Sequence, residues 1–142
     1  MDSTSPPNSQ QIVDRMMKTD AFSKWLGITV EEVRPGYARL SMKVTSEMRN
    51  GFGIAHGGIC YSLADSALAF AANGHGHIAL STHTSIVHLT KVELNDTLTA
   101  ETVEMSRDIK NARYNVTILN QNGKLAASFE GTVHITSKIW KL

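Results

Sequence analysis

The sequence predicts an α+β fold: one long apolar helix enclosed by a curved antiparallel sheet of five or six strands. Three observations predict it. The stretch from His56 to Ala72 has helical length and composition and is apolar almost all round, as a buried helix is and a surface helix is not. The segments after it are rich in Thr, Val and Ile or alternate with a period of two, as strands do. The turns between those segments are short, and short turns join only antiparallel neighbours. A sheet of that size with a single apolar helix packs by curling around the helix and burying it.

The elements follow in order. Met1 to Gln10 is polar with two prolines and reads as a disordered tail without the apolar stretch of a secretion signal. Residues 11–142 read as one domain, long enough to bury a core without staples. Gln11 to Met17 places Ile12, Val13, Met16 and Met17 on one helical face, and Ala21 to Leu26 is a short helical turn stopped by Gly27. Ile28 to Arg34, the Pro35-Gly36 turn and the alternating run from Tyr37 form a hairpin. Beyond the central helix, His77–Leu89, Thr97–Met105, Ala112–Asn120 and Leu125–Ile135 are expected to give three or four long strands in meander order. Asn122-Gly123 is a type I′ hairpin signal between the last two. One helix cannot cover so much sheet, so strands are expected to pair across a subunit boundary.

Composition excludes some partners. A formal net charge of +1 over 142 residues gives no basis for nucleic acid or an anionic membrane surface. No stretch reaches transmembrane length without interruption. Cys60 is the only cysteine, so no internal disulfide forms, and a reducing, cytoplasmic setting is expected. Its expected role is small buried filler in the central helix.

Charge starvation marks the chemistry. Between Arg49 and Lys91 the only Asp, Glu, Lys or Arg is Asp65. A carboxylate carried into such a helix is costly unless it is hydrogen-bonded or used. The alternative to use is a buried carboxylate satisfied by Ser62 or Tyr61. Upstream, Asn50 to Gly58 is a glycine-dense loop ending at a helix start. The first turn of a helix presents unpaired N–H groups and a positive dipole end, and Gly57 and Gly58 leave them accessible. Such donors suit a carbonyl oxygen that becomes an oxyanion; tight loop packing is the plainer reading. His56 and Asp65 lie nine positions apart, so on one helix they sit roughly 13–14 Å apart along the axis and point to opposite sides. Helix-start donors and Asp65 therefore cannot act on one small atom within a chain. Two copies with antiparallel helices bring them together, provided both groups are functional.

The segments Asn50-Gly51, His56-Gly57-Gly58 and Leu63-Ala64-Asp65-Ser66-Ala67 resemble the signature of hot-dog-fold thioesterases of the phenylacetate-degradation, PaaI-like, type. The similarity runs from about Ala21 to Ile135 and includes Asp96-Thr97-Leu98 and the Asn122-Gly123 hairpin. The resemblance implies hydrolysis of an acyl-CoA, aryl-acetyl or medium-chain, to free acid and CoA without a cofactor. It implies Asp65 as general base or nucleophile and the Gly57 N–H, from the neighbouring subunit, as the donor to the thioester oxygen. Asn50 and His56 then hold and polarise the substrate, and Ser81 assists the water, with Thr82 and Thr84 as rivals. Gly58, Tyr61 and Thr82 are the expected substrate neighbours, and the family's dimers associate into tetramers. Where the family's strand after the helix commonly ends in an aromatic and a proline, this chain has Val87-His88-Leu89-Thr90-Lys91.

Desolvation beside Leu68, Ala69 and Tyr61 is expected to raise the pKa of Asp65 and strengthen it as a base. Coenzyme A carries phosphates, and Lys110 and Arg113, clustered with Arg107, are the expected contacts. Five of the six histidines fall in the charge-poor segment. His75-x-His77 has ligand spacing, but no cysteine or second carboxylate joins it, so no metal site is expected and both histidines are placed in an exposed loop. Two other readings remain open here: a non-catalytic acyl-CoA-binding module, and an acyl-thioester dehydratase.

Overall fold

The computed structural model describes residues 5–142, and the first helix starts earlier than its apolar pattern implied. The Asn8 side chain accepts from the Gln11 N–H while the Gln11 side chain accepts from the Asn8 N–H, a reciprocal cap. That cap begins α1 (Ser9–Thr19), so Ser9 and Gln10 of the expected tail are helical; Met1 to Thr4 lie outside the described residues. Next come α2 (Ala21–Trp25), β1 (Thr29–Arg34), β2 (Tyr37–Lys43) and α3 (Gly57–Asn73). Then follow β3 (His77–His88), β4 (Thr97–Arg107), β5 (Asn111–Leu119) and β6 (Leu125–Ile139).

The six strands form one antiparallel sheet in the order β1-β2-β4-β5-β6-β3. The expected meander holds for β4-β5-β6 only. β3 leaves the helix at the far edge and pairs with β6, and residues 89–96 carry the chain back to the sheet's centre. That crossing spans three strand spacings, roughly 14 Å, within reach of eight residues. The β5–β6 hairpin also differs from expectation. Asn122 does not have the positive φ that a type I′ turn requires; instead Gly123, at φ +76°, follows a turn closed by the Gly123 N–H on the Asn120 carbonyl. This is a type I turn with a glycine bulge.

The sheet curls around α3, whose Leu63, Ala64, Ala67, Leu68, Phe70 and Ala71 are wholly buried. Each large side chain among them contributes about 1.5–3 kcal/mol. Gly131 of β6 lets the helix sit down: a Cβ there would fall 2.6 Å from Leu68 Cδ2. Gly58, Tyr61, Ser62, Asp65 and Ala69 form a stripe of α3 that is only partly covered. β3 is an edge strand of twelve residues without a formal charge or proline, the kind of edge that invites a further strand.

Candidate active site

The register of β3 decides which of its side chains meet α3. Directly opposed residues share a face, and Ser81, Thr84, Ile86 and His88 oppose Val133, Gly131, Phe129 and Ala127, all buried. β3 runs antiparallel to α3, with His88 beside Gly57 at the helix start. The inner row of β3 thus lies along the helix, Ser81 towards Asp65 and His88 towards Gly57.

At the helix start, the loop is braced by its own polar groups. Asn50 Oδ1 accepts from the N–H of Phe52 (2.9 Å) and Ile54 (3.4 Å), so the loop uses its oxygen and leaves the amide NH₂ to point elsewhere. His56 is the N-cap of α3, and its Nδ1 accepts from the Gly58 N–H at 2.9 Å. The capping ring therefore offers only Nε2 to a ligand. The Gly57 N–H donates to no described residue. It lines a cavity of about 300 Å³ together with Asn50, His56, Cys60, His88 and Lys91. Residues 89–92 of the crossing segment form the floor, because the Ala55 N–H bonds the Val92 carbonyl and fixes that strap under the loop. The buried Cys60 thiol is pushed up to about 11 by desolvation, as inert filler would be.

Asp65 lines a different cavity, also of about 300 Å³, with Ser81, Met16, Leu68, Ala69 and Val133. Its carboxylate forms no hydrogen bond or ion pair among the described residues. The two candidate partners are engaged elsewhere: Ser62 Oγ donates to the Gly58 carbonyl at 2.7 Å, and the Tyr61 hydroxyl bonds Thr84 Oγ1 at 2.7 Å. Burial pushes the Asp65 carboxyl above its ordinary value, and the negative charge of Asp20 adds to that. The Asp20 contribution was hidden in the sequence, since it depends on α2 docking beside α3 through the Ser23–Ser66 hydroxyl pair at 2.8 Å.

The remaining candidates divide. Thr82 lies at the bulge of β3 and its hydroxyl donates to the Thr132 carbonyl at 3.3 Å. Thr84 is held by Tyr61, whose ring packs edge-on against Phe129. Ser81 alone of the three hydroxyls shares the Asp65 cavity. Lys110 and Arg113 are exposed and line neither cavity; the cation beside Gly57 is Lys91. His88 was missed, and Lys91 was passed over for Lys110 and Arg113, because their place depends on the crossing segment, which no local pattern reveals. His75 and His77 are half-buried, not exposed. His75 Nε2 pairs with Glu104 at 2.7 Å, and His77 Nδ1 with the Thr136 carbonyl at 3.0 Å. Among the described residues no group of three His, Cys, Asp or Glu side chains could hold a metal ion, and no helix is long and apolar enough to cross a membrane.

Residues 52–127 match the family described as the thioesterase superfamily. The chain belongs to that superfamily. It is 37% identical to the acyl-coenzyme A thioesterase PaaI of Escherichia coli, over 84% of this chain and 85% of that one. It is 36% identical to a putative esterase of Archaeoglobus fulgidus, over 88% and 81%. The solved structure of E. coli PaaI superposes with a TM-score of 0.90 at 34% identity, covering 92% of this chain and 95% of the other. A hypothetical thioesterase of Streptococcus pneumoniae, solved with coenzyme A, superposes at 0.83 with 25% identity, covering 89% and 98%. Structures of that streptococcal protein also exist with an aspartate and, sixteen positions later, a threonine replaced by alanine. The wrapped helix is the hot-dog fold of the superfamily, and the chain is a thioester hydrolase.

Proposed function

We propose that the chain hydrolyses acyl-CoA thioesters at a site shared by two copies, with Asp65 as base or nucleophile and the Gly57 N–H of the second copy as oxyanion donor. The observation that carries this reading is the separation of two unsatisfied groups. A half-buried carboxylate without a partner and a helix-start N–H without a partner line different cavities of one chain. Neither finds its complement among the described residues of its own copy.

A two-fold pairing of the open β3 edge supplies both complements. Because β3 and α3 run antiparallel, pairing β3 with its copy about a two-fold between Thr84 and Ser85 sets Ser81 and Asp65 against His88 and Gly57 of the second copy. The partly covered stripe of α3 from Gly58 to Ala69 then faces the same stripe of the second helix, where small residues permit close approach. Dimers of this kind assembling further into tetramers are in keeping with the fold.

Chemistry fits this arrangement. The thioester oxygen takes the Gly57 N–H, and negative charge developing there is met by the positive end of α3. Asp65, ionised and poorly hydrated, either attacks the carbonyl carbon or takes a proton from water that Ser81 holds. In the first case the thiolate is expelled, leaving a mixed anhydride that water then hydrolyses. In the second, that water's oxygen attacks, the C–S bond breaks and the proton passes to the leaving thiolate. Asp65 and Ser81 are sixteen positions apart, the spacing of the two side chains replaced in the streptococcal structures. Lys91 stands beside the Gly57 cavity, where the coenzyme's phosphates would favour a cation. E. coli PaaI is named for acyl-CoA hydrolysis, and that supports CoA as the thiol here.

The test is thiol release from a panel of acyl-CoAs. Wild-type protein is expected to release free CoA, and Asp65→Asn to bind acyl-CoA while releasing essentially none. Unchanged release by Asp65→Asn would sink the reading.

A further inference from the structure

We infer that Trp140, carried by the C-terminal tail, limits the length of the acyl group by closing the far end of the cavity beside Asp65. This rests on the reading of Asp65 as the group that meets the thioester carbonyl. Asp65 and Ser81 line that cavity together with Leu68, Ala69, Val133, Met16 and Trp140. The Trp140 indole is bonded to Asn73, eight positions beyond Asp65 on α3 and so roughly 12 Å along the helix axis. A thioester whose carbonyl lies at Asp65 directs its apolar acyl group into those walls. An apolar cavity of about 150 Å³ already accepts a benzene ring. The 300 Å³ here accepts an aryl or medium-length group, and Trp140 stands where a longer chain would continue.

Trp140 is fixed rather than draped. Its backbone N–H donates to the Gly76 carbonyl at 2.9 Å, and its indole N–H donates to Asn73 Oδ1 at 2.9 Å. Asn73 is 2% exposed and is itself held on three further sides. Its amide NH₂ donates to the carbonyls of Ala69 and Ala79, and its Oδ1 also accepts from the Ala79 N–H. One buried amide thus ties the end of α3, the start of β3 and the tail indole into a rigid stop. An end wall held this way discriminates by length, because a chain that overruns it must break the indole's hydrogen bond to the buried Asn73. The residue follows the last strand and lies beyond the matched family region of 52–127.

The experiment measures kcat/KM for straight-chain acyl-CoAs from acetyl to dodecanoyl with the full chain. Wild type is expected to rise with length and then fall sharply at a cutoff. Trp140→Ala should move the cutoff to longer chains, raising the dodecanoyl-to-hexanoyl ratio at least tenfold, the scale on which pockets discriminate one or two methylenes. Trp140→Leu keeps an apolar side chain at the position and should move the same ratio in the same direction by about tenfold or less. This variant decides the matter if melting shows that Trp140→Ala does not fold. Asp65-dependent hydrolysis with the ratio unmoved in the folded variants would overturn the inference and leave the thioesterase reading standing. Absence of hydrolysis at every length would remove that reading, and the inference with it.

Discussion

Nε2 of His88 lies 3.4 Å from the point where a Cβ on Gly57 would sit, so an imidazole edge walls the free N–H that begins α3. The strand end and the helix start are thereby one surface. A substrate oxygen reaching that N–H passes His88, and any side chain at residue 57 would compete with it for the space.

Replacing Gly57 with proline deletes this N–H and adds a ring whose Cβ would meet His88 Nε2 at 3.4 Å, a crowding that Gly57→Ala shares. Proline is favoured at the first helical position. His56 before it already has φ −61° and ψ 139°, the region that a residue preceding proline adopts. Gly57→Pro is therefore expected to keep the melting temperature within a few degrees while kcat falls by about 10²–10³, the usual loss for one oxyanion donor. Gly57→Ala keeps the N–H and should lose less. Thiol-release kinetics beside a thermal melt separate the two effects.

Asp65 links activity and stability to pH with opposite signs. Its carboxyl titrates above the ordinary 3.8 because burial and Asp20 disfavour the charge. The acid limb of kcat/KM should accordingly lie above that ordinary value, since only the carboxylate is competent. For stability, a raised folded pKa means a contribution fully present below the unfolded pKa and lost as pH rises through the folded one. At neutral pH the ionised Asp65 therefore costs stability. Asp65→Asn should raise the melting temperature at pH 7, and the gain should vanish below about pH 3.8. A loss of stability at pH 7 would mean that the carboxylate is satisfied by something in the folded protein.

Much of this site was legible because a single carboxylate stands out in a charge-poor segment, and a long apolar stretch has only one way to hide. The wrapped helix and the candidacy of Asp65 follow from those two facts, and the candidacy of Gly57 from the glycine-dense loop at the helix start. What was not legible depends on pairing between distant segments. β3 reads equally well beside β4 or beside β6, because its alternation specifies a face and not a neighbour. Its true place at the edge moves His88 and Lys91 to the Gly57 cavity. The capping role of His56 was hidden for a related reason: its Nδ1 could be assigned only once the Gly58 N–H pointed at it. Asn122-Gly123 marked the hairpin correctly, yet a one-residue difference in closure changed the turn.

At Gly131 the sheet lies so close to the helix that no side chain fits between them. A Cβ there would meet Leu68 Cδ2 at 2.6 Å and Phe129 Cε1 at 3.3 Å. Both side chains are wholly buried, so neither can swing into solvent. Gly131→Ala should destabilise by about 1–3 kcal/mol, as overpacking does. Leu68→Ala alone should cost about 2–5 kcal/mol. Because the new methyl then occupies part of the vacated space, the double variant should be more stable than the sum of the two losses implies. Chemical denaturation of the four proteins gives the coupling, and strict additivity would show that the helix shifts instead.

A site divided between two copies makes a prediction that no single-chain site can match. Asp65→Asn protein keeps its Gly57 N–H, and Gly57→Pro protein keeps its carboxylate, so each alone is inactive or nearly so. In a mixed dimer one of the two sites draws Asp65 from the proline variant and Gly57 from the asparagine variant, and is intact; the other site lacks both. Random reassortment makes half the dimers mixed, so about a quarter of wild-type activity should return when the two are co-refolded. Were both groups to act within one chain, every copy would lack one of them and mixing would restore nothing. The spacing along α3 argues for recovery: eight residues separate Gly57 from Asp65, roughly 12 Å of helix axis, too far for both to reach one thioester carbonyl.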